Sequence, residues 1–380
     1  LKWIKMFERI RHMLIKEFIQ VLRDPRMWIV IFITPCIQML VIGYAVTTDV
    51  KHVATAVLDL DNSPESRELV ARFVNSGYFD LACRLGREAE IRDLLDRGSV
   101  TLVLRMNHGF GADLRAGRTA QFQAIVDGSD SNTAGIVLSY AAQIGAAYSQ
   151  QILVDRYARL AGGARLPAQI DLQARAWFNE NLESRNFYVP GVIVVVVTLV
   201  TLLLTSMAVV REKEIGTIEQ IMVTPITPLE FVLGKTVPFA LIGFIDVLVV
   251  TLVGVFWFEV PVRGNLALLF VSTGLYITTT LGAGLLISTI SQTQQQAMMS
   301  TFFFFFPAML LSGFAYPIAN MPPAVQWLTY FNPLRYFLVI VRGIFLKGIG
   351  ADILWPNMLP LAVMGVVILW VVSLRFHKTL

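Results

Sequence analysis

Charge is scarce in this sequence. Asp, Glu, Lys and Arg make up 15% of its 380 residues and hydrophobic residues 55%, whereas an ordinary soluble domain has about 25% and about 45–50%. With a mean hydropathy of +0.63, a water-soluble globule is excluded and the bilayer becomes the expected solvent. Cysteine is scarcer still. Cys36 falls in an apolar run and Cys83 in a mixed segment beyond it, so the two cannot pair within one chain and a disulfide scaffold is excluded. Cys83 sits in the strand-like "YFDLACRL", where a buried structural thiol is the expected reading. The four histidines (His12, His52, His108 and His377) are scattered, and no H-E-x-x-H, paired C-x-x-C or G-x-S-x-G occurs. Neither a metal site nor a catalytic nucleophile is expected. A phosphate loop is missing too. Gly234-Lys235-Thr236 matches the end of G-x-x-x-x-G-K-[ST], but the required glycine at 229 is Leu229. The chain is therefore expected to bind no ATP and no other cofactor by itself.

What is present is apolar length. A helix needs roughly 20 apolar residues to cross about 30 Å of hydrocarbon. Uncharged or nearly uncharged windows of that kind are Trp28–Val46 (with Pro35), Phe187–Val210, Thr236–Phe258 (with one charge, Asp246), Leu266–Ile290, Ala297–Ala315 and Met358–Leu374. The fourth and fifth are separated only by "SQTQQQ". The expected fold is an α-helical polytopic membrane protein of six transmembrane helices, arranged one plus five. Its first span, 27–46, follows a charged arm too long and too acidic for a signal peptide, and is read as a retained anchor. Position 1 is Leu rather than Met, so the numbering is expected to begin inside the gene product.

Basic residues orient the spans. The arm 1–26 carries Lys2, Lys5, Arg9, Arg11, Lys16, Arg23 and Arg26, the loop 211–235 carries Arg211, Lys213 and Lys235, and the tail carries Arg375 and Lys378. An even number of spans puts all three in the cytoplasm, termini included. The net charge of +4 then follows from topology, and nucleic acid is not needed as a partner. Residues 47–186 fall on the outer side. There "HVATAVLDLD", "YFDLACRL", "VTLVLRM" and "TAQFQAIVDG" read as strands. "SPESRELVARFVNSG", "REAEIRDLLDRG", Phe110–Ala116 and Asn132–Leu160 read as helices, an alternation that predicts an inserted α/β domain. The acidic "DLDNSPES" is expected to be a strand-to-helix turn rather than a cation site.

Five features are candidates for function. In the arm, Ile4, Phe7, Ile10, Leu14, Phe18 and Leu22 share one helical stripe, which predicts an amphipathic helix on the membrane surface or against a soluble partner. Thr198, Thr201 and Thr205 share one face of the second span, with Ser206 nearby; such a stripe lines a pathway or glues helices, more often the latter. In "FFFFFP", Phe302–Phe306 cover every face of the fifth span. Asp246 is an intramembrane carboxyl, a proton or cation site, a partner for another helix, or a structural hydrogen-bonding group. Between spans two and three, "REKEIGTIEQIMVTPITPLEFVLGK" is dense in charge. A short helix from Glu212 to Met222, interrupted at Gly216, should turn at "TPITP" and restart at Thr227-Pro228-Leu229-Glu230, a capping box with Pro at the first helical position. "NPLRYFLVIVRGIFLKG" (332–348) has no long uncharged run and is expected to be a re-entrant or interfacial helix of an outer segment 316–356. Its Arg335, Arg342 and Lys347 run against the positive-inside trend.

Taken with "GLLISTISQTQQQA", "PAMLLSGFAYPIANMPPAVQWLTYFNPLRYF", "VLDLDNSP" and "VDGSDSNTA", that charged loop resembles the permease subunits of type-2 ATP-binding-cassette exporters, of the multidrug-efflux kind with a large outer domain. The resemblance covers nearly the whole chain. It implies a separate ATPase subunit that binds ATP and Mg and docks on the arm and on Glu212, Glu214, Gly216, Thr217 and Glu219. It implies a second permease, identical or related, and a path lined by Thr198, Thr201, Thr205, Phe302, Phe303, Phe305 and Phe306. It implies a bacterial inner membrane and alternating access for a small amphipathic or drug-like substrate. A periplasmic adaptor on the outer domain is a further expectation from that domain's size. An ion-coupled transporter using Asp246 would instead require internal repeats, which the one-plus-five layout lacks. A ligand-sensing receptor would require an inner output domain, and no inner segment exceeds about 26 residues.

Overall fold

The apolar runs become helices whose ends are set by proline, glycine and capping side chains. The computed structural model describes residues 2–23, 25–46, 50–160, 177–179, 183–216 and 227–378. They separate into two units, Leu1–Thr48 with Arg175–Leu380, and Asp49–Ala174. The first unit opens with α1 (Lys2–Arg23). A short turn Pro25–Trp28 and a wider one at Ile29–Ile33 then lead into α2 (Thr34–Val46). The widening has a local cause. Pro35 has no N–H to give, and the backbone N–H and hydroxyl of Thr34 both donate to the Ile29 carbonyl instead.

The second unit is a four-stranded sheet with helices. Its elements are β1 (Val53–Asp59), α3 (Pro64–Asn75), β2 (Phe79–Arg84), α4 (Ala89–Asp96), β3 (Leu102–Met106), α5 (Phe110–Ala116), β4 (Phe122–Val126) and α6 (Ser131–Leu160). Strand order is β2-β1-β3-β4, with β1 parallel to β2 and β3, and β4 antiparallel to β3. Both faces of β1 are covered. Val53 and Val57 pack with Leu69, Phe73 and Val137 of α3 and α6, while Ala56 and Leu58 pack with Ile91 of α4. The acidic turn after β1 is structural. Asp59 accepts from the N–H groups of Asp61 and Asn62 and from the Ser66 hydroxyl, and Asp61 accepts from the N–H groups of Gly109 and Gly111 at 2.7 and 2.8 Å.

The first unit resumes with α7 (Ser184–Ile215), α8 (Pro228–Phe256), α9 (Leu266–Ile290), α10 (Gln294–Leu310), α11 (Pro323–Thr329), α12 (Pro333–Arg342) and α13 (Ala351–Lys378). Helix α7 is apolar on nearly every face and lies at the centre, packed by α2, α8, α9, α10 and α12. Among the described residues four helices are long and apolar enough to span: Ser184–Ile215, Glu230–Phe256, Leu266–Ile290 and Ala351–Leu374. The first expected span is the shorter Ile29–Ala45. The fifth, expected over Ala297–Ala315, ends at Leu310 because the chain turns through Ser312 and Gly313, the latter at φ +84°.

Two expectations change. The charged loop does not begin at 211: α7 runs on to Ile215, because its last turn is anchored to neighbouring helices. In the arm the packed positions are Met13 and Glu17, while Ile15 and Ile19 are exposed; the side chains of Ile4, Phe7, Ile10 and Leu22 lie outside the described residues. Segment 332–348 is the short helix α12 closed by a wider turn at Gly343–Lys347, with Leu334, Phe337, Leu338 and Val341 buried. Its arginines find local partners that answer the positive-inside anomaly. Arg335 lies over the Tyr330 ring at 4.0 Å, and Arg342 lies over the Phe187 ring at 3.7 Å and donates to the carbonyls of Phe187 and Gly313.

Candidate functional site

At the start of α8, Gly234 lets α1 come close: a Cβ there would sit 2.7 Å from the Met13 sulfur. The next residue, Lys235, is 2% exposed. Its Nζ donates to Glu17 Oε1 of α1 at 2.7 Å and to Glu212 Oε1 of α7 at 2.8 Å. Lys16 donates to the same Glu212 oxygen at 2.8 Å and lies 3.6 Å from Glu17. Two carboxylates and two ammonium groups thus balance in a junction of three helices, which is how buried charge is tolerated. Beside it Glu230 pairs with Arg9 at 3.5 Å and closes the capping box of α8, accepting from Thr227 N–H at 2.8 Å.

The last turn of α7 is held on its other side as well. Lys213 Nζ donates to the Thr289 and Ser291 carbonyls at the end of α9, at 2.9 and 3.2 Å, where the free carbonyls of a helix terminus favour a cation. Glu214 accepts from Gln294 N–H at 2.8 Å and from the Gln294 amide group, at the start of α10 where an anion is favoured. Gly216 then stops α7 at φ +80°, donating to the Glu212 and Lys213 carbonyls. Of the expected coupling residues, Glu212 is therefore buried within the chain, Glu214 caps α10 and Gly216 terminates α7. Thr217 and Glu219 lie outside the described residues.

The threonine stripe is buried in the seam between α7 and α9. Thr198 bonds to Tyr276, and Thr201 donates to Thr280 at 3.1 Å. Thr205 donates to its own helix at the Thr201 carbonyl, 2.6 Å away. A Cβ on Gly284 would meet Thr205 at 2.7 Å, so the helices touch through small residues. As packed, these threonines join helices within one chain; a path along them requires α7 and α9 to part. The phenylalanines divide by face: Phe305 is 3% exposed, Phe302 half-buried, Phe303 84% exposed, and Phe304 and Phe306 exposed.

Against this geometry, residues 25–374 match the sequence profile of the ABC-2 family transporter proteins. The chain belongs to the ABC-2 transporter family. The permease is 35% identical over 94% of its length to the Probable multidrug ABC transporter permease YbhR of Escherichia coli (strain K12), covering 95% of that protein. It is 33% identical to the Probable multidrug ABC transporter permease YbhS of the same organism, over 98% of each chain. It is also 22% identical over 96% of its length to ABC transporter G family member 20 of Dictyostelium discoideum, of which it covers 49%. It is a membrane permease subunit of an ABC transporter.

Sequence reasoning about the permease passed over Glu17 and Lys235. In sequence Lys235 reads as part of a failed phosphate loop and as one of the basic residues that orient the spans, and Glu17 is assigned no role. A signal for the second existed. Glu17 is four residues after Met13 and so on the same helical face, an acid on a face that also carries an apolar residue. A cavity of about 60 Å³ lies next to the junction, its lining including Glu17, Lys235, Arg211, Leu204 and Phe239.

Proposed function

We propose that the permease is the membrane subunit of an ATP-driven exporter that moves a small amphipathic or drug-like substrate outward by alternating access. The observation that carries this reading is the 2.8 Å pair between Glu212 and Lys235, which ties both ends of the 212–235 stretch to each other and, through Glu17, to α1. A push on the segment between Gly216 and Thr227 then moves α7, α8 and α1 together. The segment is the docking surface for a separate ATPase subunit, which holds ATP and Mg. Helix α1 packs against α8, which follows that segment, with both termini in the cytoplasm of a bacterial inner membrane, and Ile29–Ala45 and α10 complete six spans with the four long helices. A second permease, identical or related, completes the path, with Phe303 and Phe306 of α10 on the exposed face that meets it or the lipid. The unit Asp49–Ala174 stands outside the membrane, where a periplasmic adaptor would find it. The multidrug names of the two Escherichia coli relatives support the substrate class.

Co-purification tests this. Expressed with candidate ATPase subunits, the tagged permease should retain one of them, and ATP hydrolysis by the complex should respond to substitutions between residues 211 and 235. If no ATPase is retained, or hydrolysis ignores that segment, the reading fails. Differently tagged copies of the permease, co-expressed, separate an identical from a related second subunit.

A further inference from the structure

Asp246 is the one carboxyl among the described residues with both oxygens buried and without a hydrogen-bond partner. It lies in α8 with 0% of its surface exposed, and neither carboxyl oxygen has a hydrogen-bond partner among the described residues. Its depth follows from the packing of two glycines on the same helix. Gly243 abuts Thr201 of α7 and Ile277 of α9, and Gly254 abuts Val189 and Ile193 of α7 and Met39 of α2. Asp246 falls between them, level with the stretch of α7 that carries Thr198. That level is the polar layer of the bundle, where Thr198 meets Tyr276 and Thr201 meets Thr280.

Among the described residues no cation pairs with Asp246. Helix α7 carries no charged residue from 187 to 210. From α9 the titratable group at this level is Tyr276, bonded to Thr198, and from α2 it is Cys36, within electrostatic range of Asp246. On α8 itself the nearest ammonium, Lys235, is eleven residues away and bonded to Glu17 and Glu212. A carboxylate here would be a buried charge without a partner, which proteins avoid by neutralising it. A bound metal ion does not solve the problem. Such ions ask for about six oxygen ligands, and no group of three His, Cys, Asp or Glu side chains converges among the described residues. A proton needs no cage.

We propose that Asp246 is a proton-binding site at mid-membrane, loaded while α7 and α8 are packed through Gly243 and Thr201, and unloaded when the transport cycle parts them. The loading rests on this packing alone; the unloading rests also on the exporter reading above.

Dicyclohexylcarbodiimide tests both. It adds across the O–H of a carboxylic acid in apolar surroundings: the acid's proton goes to a carbodiimide nitrogen, its oxygen to the central carbon, and the adduct rearranges to a stable N-acylurea with no leaving group. The full-length permease, assembled with its ATPase in lipid nanodiscs, is treated at rest and after arrest with ATP and vanadate, and the modified peptides are located by mass spectrometry. The expected result is modification of Asp246 at rest that changes about fivefold on arrest, the ratio that a change of about 1 kcal/mol in the helix-parting equilibrium produces. The variant Asp246→Asn should lose the modification and still assemble. Asp246→Leu, which removes the polar group, serves if the amide disturbs insertion. An unmodified Asp246 at rest overturns the proposal whatever the ATPase does. Equal modification in both states, in a complex that hydrolyses ATP, overturns the unloading. Failure of any ATPase to assemble sinks the exporter reading instead and leaves the resting experiment to decide the proton site.

Discussion

Replacing Lys235 by Met shortens the side chain by one atom and removes its charge. Glu17 and Glu212, both buried, would then face a thioether in place of the ammonium group that now lies 2.7 and 2.8 Å from them. Breaking a buried pair by removing one partner costs about 3–5 kcal/mol. Lys16 remains 2.8 Å from Glu212 and 3.6 Å from Glu17, but its side chain is about half exposed, so it compensates only in part. The expected loss is therefore near the lower end, about 3 kcal/mol, or roughly a hundredfold in the ratio of folded to unfolded protein. Thermal unfolding of the purified permease, followed by tryptophan fluorescence, reads this as a lowered midpoint. The triple variant Glu17→Met, Lys235→Met, Glu212→Met should recover most of it, because well-packed apolar residues can replace a buried ionic cluster at little cost. That recovered protein should nevertheless hydrolyse ATP without export, since the link between α1, α7 and α8 is gone. A single variant as stable as the parent, or a triple variant no better than the single one, would refute the electrostatic reading of the junction.

Other sites give sharper local tests. Gly216→Val should cost about 1–2 kcal/mol, because a β-branched residue resists φ +80°; protease cleavage between residues 211 and 235 should rise, while Gly216→Asn stays close to the parent. Gly284→Val forces atoms against Thr205 and the Leu202 carbonyl, which a Cβ would meet at 2.7 and 3.2 Å. It should cost the about 1–3 kcal/mol of an overpacked core, read as a lowered unfolding midpoint, with no change if the seam between α7 and α9 is open in the native protein. In the unit Asp49–Ala174, the Ser63 hydroxyl and then the Gly111 N–H hold the Asp61 carboxyl below its usual range. The folded value is the lower one, so its contribution is complete above the ordinary carboxylate value of about 3.9 and is lost as pH falls through the folded value. Asp61→Asn should therefore flatten the acid limb of a stability-against-pH curve; an unchanged limb would refute it.

Hydrophobic length, turn chemistry and caps were legible from the chain because each acts over a few residues. The apolar run of 187–210 could only be a helix in lipid, Ser63 and Thr227 cap α3 and α8 as their spacing requires, and the alternation of strands and helices in 53–160 reappears as a four-stranded sheet. The acidic turn at Asp59 and Asp61 was readable for the same reason. The continuity of α7 was not. A helix from Glu212 and its interruption at Gly216 read locally, but nothing local joins that turn to the second span; α7 runs through it because Glu212, Lys213 and Glu214 are anchored to α8 and α1, to α9 and to α10 respectively.

The composition and motifs alone settled that this chain lives in a membrane and resembles a permease, since the need for internally bonded apolar helices in lipid leaves few alternatives. Which polar residues matter was decided only in three dimensions. Glu17, Glu212 and Lys235 are separated by as many as 218 positions, and charges so far apart in sequence acquire a meaning only when packing removes the water around them. The same desolvation separates the threonine stripe, satisfied in a seam between helices, from Asp246, which has no hydrogen-bond partner among the described residues.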